Sequence, residues 1–167
     1  MKIMKNDNSA EFEKLVEHGQ FREALALVDA LIDQSPSQGR LWADRGWILF
    51  RKEDYSTALE SFTKALALFP RAASTLFFRA QCREKLGDLV EALNDYHASF
   101  DIKPQADVLV NIGLIHRYEG KHDAAHAAFS DALRFDPKCE IALALLQKPD
   151  SDRSPTQGVD HEPEKPD

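Results

Sequence analysis

Apolar residues recur along this chain with a helical period, broken at short intervals by charged or glycine-containing turns. The clearest case lies between Arg40 and Pro70. Two amphipathic runs, Leu41–Phe50 and Tyr55–Phe69, are joined by Arg51-Lys52-Glu53-Asp54 and closed by the proline. Ala58, Phe62 and Ala65 stand at i, i+4 and i+7, which puts them on one face of a helix. The same pattern predicts a helix from Asn8, capped through Glu11, to His18 before Gly19, and another over Gln20–Asp33. Ser74–Leu86 and Asp88–Asp101 form a pair around Gly87, and Asp107–Glu119 and His122–Phe135 a pair around Gly120.

Aligning these pairs exposes a repeat. Prolines stand at Pro36, Pro70, Pro104 and Pro137, at offsets of 34, 34 and 33. Twelve residues before each is Ala24, Ala58, Ala92 or Ala125, and eight before is Val28, Phe62, Tyr96 or Phe129. Five before is Leu31, Ala65, Ser99 or Ala132. A fixed period of this length is the mark of a solenoid. The repeats run over about 5–38, 39–72, 73–105 and 106–139. Lys138–Lys148 adds a last amphipathic run, expected as a capping helix with a polar outer face. The solenoid is thus expected over 8–148, after a frayed start at 1–7. Residues 149–167 hold four of the eight prolines and almost nothing apolar, so a disordered acidic tail is expected there.

The columns resemble the tetratricopeptide repeat family. The second unit carries the pattern through Trp42, Gly46, Leu49, Ala58, Phe62, Ala65 and Pro70; the third departs from it at Arg83 and Ser99. The resemblance implies an all-α fold, a right-handed α-solenoid of four helix–turn–helix repeats with a C-terminal capping helix. It also implies a concave groove, lined by the first helix of each unit, that binds peptides or proteins.

On that resemblance the groove residues are Ala43, Asp44, Trp47 and Phe50 in the second unit, and Phe77, Phe78 and Gln81 in the third, flanked by Ser74 and Glu84. In the fourth they are Val110, Asn111, Leu114 and Arg117, with Asp107 at the start, and in the first Ser9, Glu13 and Val16. Trp47, Phe78 and Leu114 fill positions that the family more often gives to polar residues, and Trp47 is assigned no part in building the unit. Contiguous exposed apolar surface marks an interaction site. The competing reading has these side chains filling the tight inner side of a short superhelix. Under the binding reading the ligand is an apolar or amphipathic segment, with Arg40, Arg51 and Arg117 at the rim for its acidic groups. The carboxylate clamp of chaperone-binding relatives is not matched: the corresponding positions, Ser9, Glu13, Asp44, Ser74 and Phe78, or one unit later Ala43, Trp47, Phe78, Asp107 and Asn111, offer no cation.

Charge and composition narrow the function further. A formal net charge of −7 argues against a general nucleic-acid binder, which needs a basic face. No apolar run approaches the ~20 residues of a membrane span, and the first residues lack a secretory h-region, so cytoplasmic residence is expected. Cys82 and Cys139 form no disulfide framework; Cys82 is expected to be buried and Cys139 accessible. His122 and His126 stand at i and i+4, but HDAAH lacks the glutamate of a zinc-protease motif, and a solvated helix face is the favoured reading. With no catalytic constellation or cofactor motif, the expected role is a non-enzymatic, cofactor-free adaptor, chaperone or scaffold that binds a protein or peptide partner. The alternatives are a secretion-type chaperone or immunity partner of one protein, and a self-assembling scaffold that forms a homodimer.

Overall fold

A computed structural model describes residues 6–147 of the chain, and within them the secondary structure is helical with no strand. The helices are α1 (Asn6–Glu17), α2 (Phe21–Gln34), α3 (Gly39–Arg51), α4 (Tyr55–Leu68) and α5 (Ala73–Lys85). They continue as α6 (Leu89–Ile102), α7 (Ala106–Tyr118), α8 (His122–Phe135) and α9 (Glu140–Gln147). Each packs chiefly on its neighbours in sequence, and α3 also touches α5. The expected acidic tail at 149–167 lies outside the described residues. Asn6 and Asp7, expected to fray, instead open α1, so Asn8 lies inside the first turn and not at a cap.

Each antiparallel pair turns through one left-handed residue at the same repeat position. Three are glycines, Gly19 (φ 68°), Gly87 (φ 86°) and Gly120 (φ 74°); the fourth is Glu53 (φ 62°). Glycine takes this conformation without the clash that a Cβ brings, so the second repeat carries a strained turn. Asp54 and Asp88 follow two of these turns, and their carboxylates accept from the backbone N–H of Thr57 (3.3 Å) and Glu91 (3.4 Å), capping α4 and α6.

Within a pair, a missing side chain on the first helix admits a ring from the second. A Cβ on Gly46 would sit 2.7 Å from the buried Phe62 ring, and Gly113 stands in the same relation to Phe129. The core then runs continuously from repeat to repeat. Val28, Leu31, Ile32, Leu41 and Ile48 join α2 to α3, and Leu49, Ala58, Phe62 and Cys82 join α3, α4 and α5. Ala80, Tyr96, Val108, Ile112 and Ile115 carry it on to α7, and Val110, Ala132, Cys139 and Ala142 seal it under α9. Cys139 is therefore buried, contrary to expectation, in a cluster with Val110 of α7, Ala132 of α8 and Ala142 of α9.

Polar side chains interrupt this core in two repeats. Arg79 donates to both carboxylate oxygens of Asp95, through Nε at 2.7 Å and Nη2 at 2.6 Å, and Arg83 adds a contact of 2.6 Å. One repeat earlier, Arg45 donates to Ser61 (2.8 Å) and to Asp29 of the preceding unit (2.9 Å). One repeat later the matching positions are Ile112 and Ala128, both buried and apolar.

Candidate functional site

The first helices of the second and third repeats, α3 and α5, bring their aromatic residues together. Tyr55, Phe50, Phe78, Phe77 and Tyr96 form a ladder with successive ring centroids 5.6, 5.6, 5.6 and 5.7 Å apart. Phe78 also lies nearly parallel to Phe62 beneath it, at 6.1 Å and 13°. Phe50, Phe77 and Phe78 are half-buried, each with one side on the core and part of the other open. The ladder continues the core outward as an apolar floor. At its end the Tyr96 hydroxyl donates to Glu84 (2.9 Å); burial, then the nearby Glu84 charge, raises the phenol above its ordinary pKa.

Trp47 differs from expectation. It is half-buried and packs against the core between α2 and α3 and against that of α3, α4 and α5, so it does help to build the solenoid. The Arg51 guanidinium lies 5.2 Å from its ring and 5.6 Å from that of Phe21, a cation–π arrangement that occupies this rim cation. Arg117 is engaged in the same way, 5.7 Å from the Phe129 ring.

The remaining candidates divide by position. Asp44 is paired with Arg40 at 3.6 Å, and its burial raises its pKa, partly offset by that arginine. Asn111 turns its amide onto the Asp107 carbonyl of its own helix (2.9 Å), and Gln81 is half-buried on α5. Val110 is 4% exposed and is not open to a ligand, because α8 and α9 close over it. Leu114 and Arg117 line a cleft of about 680 Å³ with Glu84, Lys85, Leu89 and Tyr118, between the C-terminal ends of α5 and α7. Ala43 lies elsewhere, in an apolar cleft of about 670 Å³ at the N-terminal ends of α3 and α5.

That second cleft was not foreseen. Leu68, Phe69 and Ala65 from the end of α4 line it with Gly39, Arg40, Ala43, Pro70, Arg71, Ala72 and Thr75. Leu68 and Phe69 close the amphipathic run Tyr55–Phe69, which periodicity reads as packing surface; that they stay exposed depends on where α4 ends against the start of α5. Among the described residues, no group of three or more His, Cys, Asp or Glu side chains is placed to hold a metal ion.

Comparison with known proteins now fixes the family. Tetratricopeptide repeat profiles match residues 10–62, 44–107 and 106–139, most of the chain. The chain belongs to the tetratricopeptide repeat family. It is 34% identical over 126 residues to human tetratricopeptide repeat protein 36, a match that covers 70% of this chain and 63% of that protein. The chain thus spans less than two-thirds of that relative. It is also 30% identical over 138 residues to mouse Protein O-mannosyl-transferase TMTC1, covering 79% of this chain but 14% of that protein. Among solved structures, the crystal structure of MamA superposes with a TM-score of 0.77 at 17% identity, over 87% of this chain and 82% of that one. At that identity the likeness speaks to the fold, a tetratricopeptide solenoid. No described helix is long and apolar enough to cross a membrane.

Proposed function

We propose that this tetratricopeptide solenoid is a non-enzymatic protein-interaction module that holds an apolar or amphipathic segment of a partner along the face of its first helices. The observation that carries this reading is the half-buried aromatic ladder of Phe50, Phe78 and Phe77 across α3 and α5. Aromatic side chains anchored on a rigid floor offer large contact area at little entropic cost, and such residues dominate binding hot spots. The ladder links two repeats, so a segment lying on it crosses the superhelix and reads more than one unit. Gln81 on α5 and Asn111 on α7, the first helix of the next repeat, supply polar contacts for orientation. The role is that of an adaptor, chaperone or scaffold acting in the cytoplasm.

The test is quantitative affinity capture from the native host with the wild-type chain, Phe78→Ala and Val90→Ala. Val90 is 68% exposed on α6, a second helix, and serves as the control. All three are compared at a temperature where each is folded. The reading requires loss of a specific partner from Phe78→Ala alone; an unchanged set of bound proteins rejects it.

A second reading, self-association through the C-terminal end, draws on the exposed Phe135, Ile141 and Leu143 beside and on α9. It predicts a dimer in sedimentation that Ile141→Asp converts to monomer. A wild-type chain that sediments as a monomer excludes it.

A further inference from the structure

The cleft at the N-terminal ends of α3 and α5 lies apart from the aromatic ladder and has its own chemistry. Its floor is apolar, with Leu68 and Phe69 left 40% and 58% exposed, large areas for such side chains in a folded chain. Phe69 is held in place by Gly39, whose missing side chain leaves room for its ring. Both charged residues in the lining are cations, Arg40 and Arg71, although the chain as a whole carries −7. Arg71 is exposed and makes no hydrogen bond or ion pair among the described residues. Arg40 has only the 3.6 Å contact with Asp44, and its side chain is 79% exposed. The first turns of α3 and α5, which line the cleft, start without a side-chain cap, so the positive ends of two helices add to the same field. About 670 Å³ is room for several side chains.

We propose that this cleft binds an acidic amphipathic segment of a partner protein, with bulky apolar side chains on Leu68 and Phe69 and a carboxylate on Arg40 and Arg71. The chain's own C-terminal stretch is acidic but has almost nothing apolar, and so does not match the floor. The proposal stands independently of the ladder, since the cleft takes in none of the ladder residues and, of the expected groove, only Ala43 and the rim residue Arg40.

The experiment is fluorescence anisotropy of a short labelled peptide of Leu, Phe and Glu, titrated with the full chain. Three further peptides are compared: one with Lys in place of Glu, one of Glu and Ser without apolar residues, and one with the sequence of residues 148–167. The Leu-Phe-Glu peptide is expected to bind saturably and more tightly than the other three. Arg71→Glu and Leu68→Ser, both at exposed positions, should each weaken it roughly tenfold with unchanged melting curves. Phe78→Ala, on the ladder, should leave the affinity as it was. Equal binding of the Lys peptide, tighter binding of the 148–167 peptide, or indifference to both cleft substitutions overturns the proposal. If Phe78→Ala weakens binding as much as the cleft variants do, the peptide lies on the ladder. The cleft proposal then fails while the ladder reading stands.

Discussion

Arg79 holds Asp95 in a two-point grip, 2.7 and 2.6 Å between nitrogen and oxygen, inside the third repeat. The carboxylate is 5% exposed and the arginine side chain 17%. Arg83 approaches the same carboxylate from the next turn and also lies 3.7 Å from Glu91, so two guanidinium groups converge on Asp95. A buried pair of this kind adds little over an apolar pair of equal volume, but losing one partner strands the other. Asp95→Ala should therefore cost about 3–5 kcal/mol in urea unfolding. Asp95→Ala with Arg79→Met and Arg83→Leu should recover most of that loss. A single variant near wild-type stability contradicts the account.

Gly46 and Phe62 form a coupled pair. Phe62→Ala alone should cost about 3–5 kcal/mol, as for a fully buried ring. Gly46→Ala alone forces the ring aside, an overpacking cost of about 1–3 kcal/mol against a helix-propensity gain of up to about 1. In the Phe62→Ala background the clash is gone, and Gly46→Ala should become neutral or stabilising. A double-mutant cycle measures this; additive effects contradict the packing described.

The turn at Glu53 carries a backbone strain that the equivalent glycine turns of the other repeats do not. Nothing crowds the equivalent glycines; the demand is on the backbone alone. Glu53→Gly should raise stability by about 0.5–1 kcal/mol, the relief of left-handed strain less the entropy of glycine. Gly87→Ala should lower it by about 1 kcal/mol. The check is the urea midpoint at unchanged slope.

Burial pushes the Cys82 thiol up to about 12, and Tyr96 is raised as well. Both groups hold their protons more tightly folded than unfolded. Their contribution is present at neutral pH and is lost as pH rises from about 9 towards about 12. Stability should fall across that window, and less steeply in Cys82→Ala. Ellman's reagent at mildly alkaline pH should react with Cys82 only as fast as the chain opens; rapid reaction of the native protein contradicts its burial.

Much of the fold was legible because its rules are local and repeated. Ala58, Phe62 and Pro70 recur one repeat on as Ala92, Tyr96 and Pro104, and each pair meets the same geometric need. The buried polar pair was missed because an arginine reads as surface, although Arg45 and Arg79, with Ser61 and Asp95, keep the repeat spacing and were a signal in plain view. The site was less legible. Val110 sits at a groove position by register, and only the fold-back of α9 shows that it is covered. Trp47 looked spare because its contacts cross to α2, in another repeat, which periodicity within a unit cannot reveal. The cleft at Leu68, Phe69 and Arg71 depends on where two helix starts and one helix end converge.

The central claim is that a partner segment lies on the aromatic ladder, and site-specific photo-crosslinking tests it most directly. A photoreactive residue in place of Gln81, half-buried on α5 and outside the ring stack, is compared in the native host with one in place of Val90 on α6. The account predicts a discrete adduct from position 81 that weakens in the Phe78→Ala background and is absent from position 90. The same adducts from both positions, or none from position 81, would contradict it.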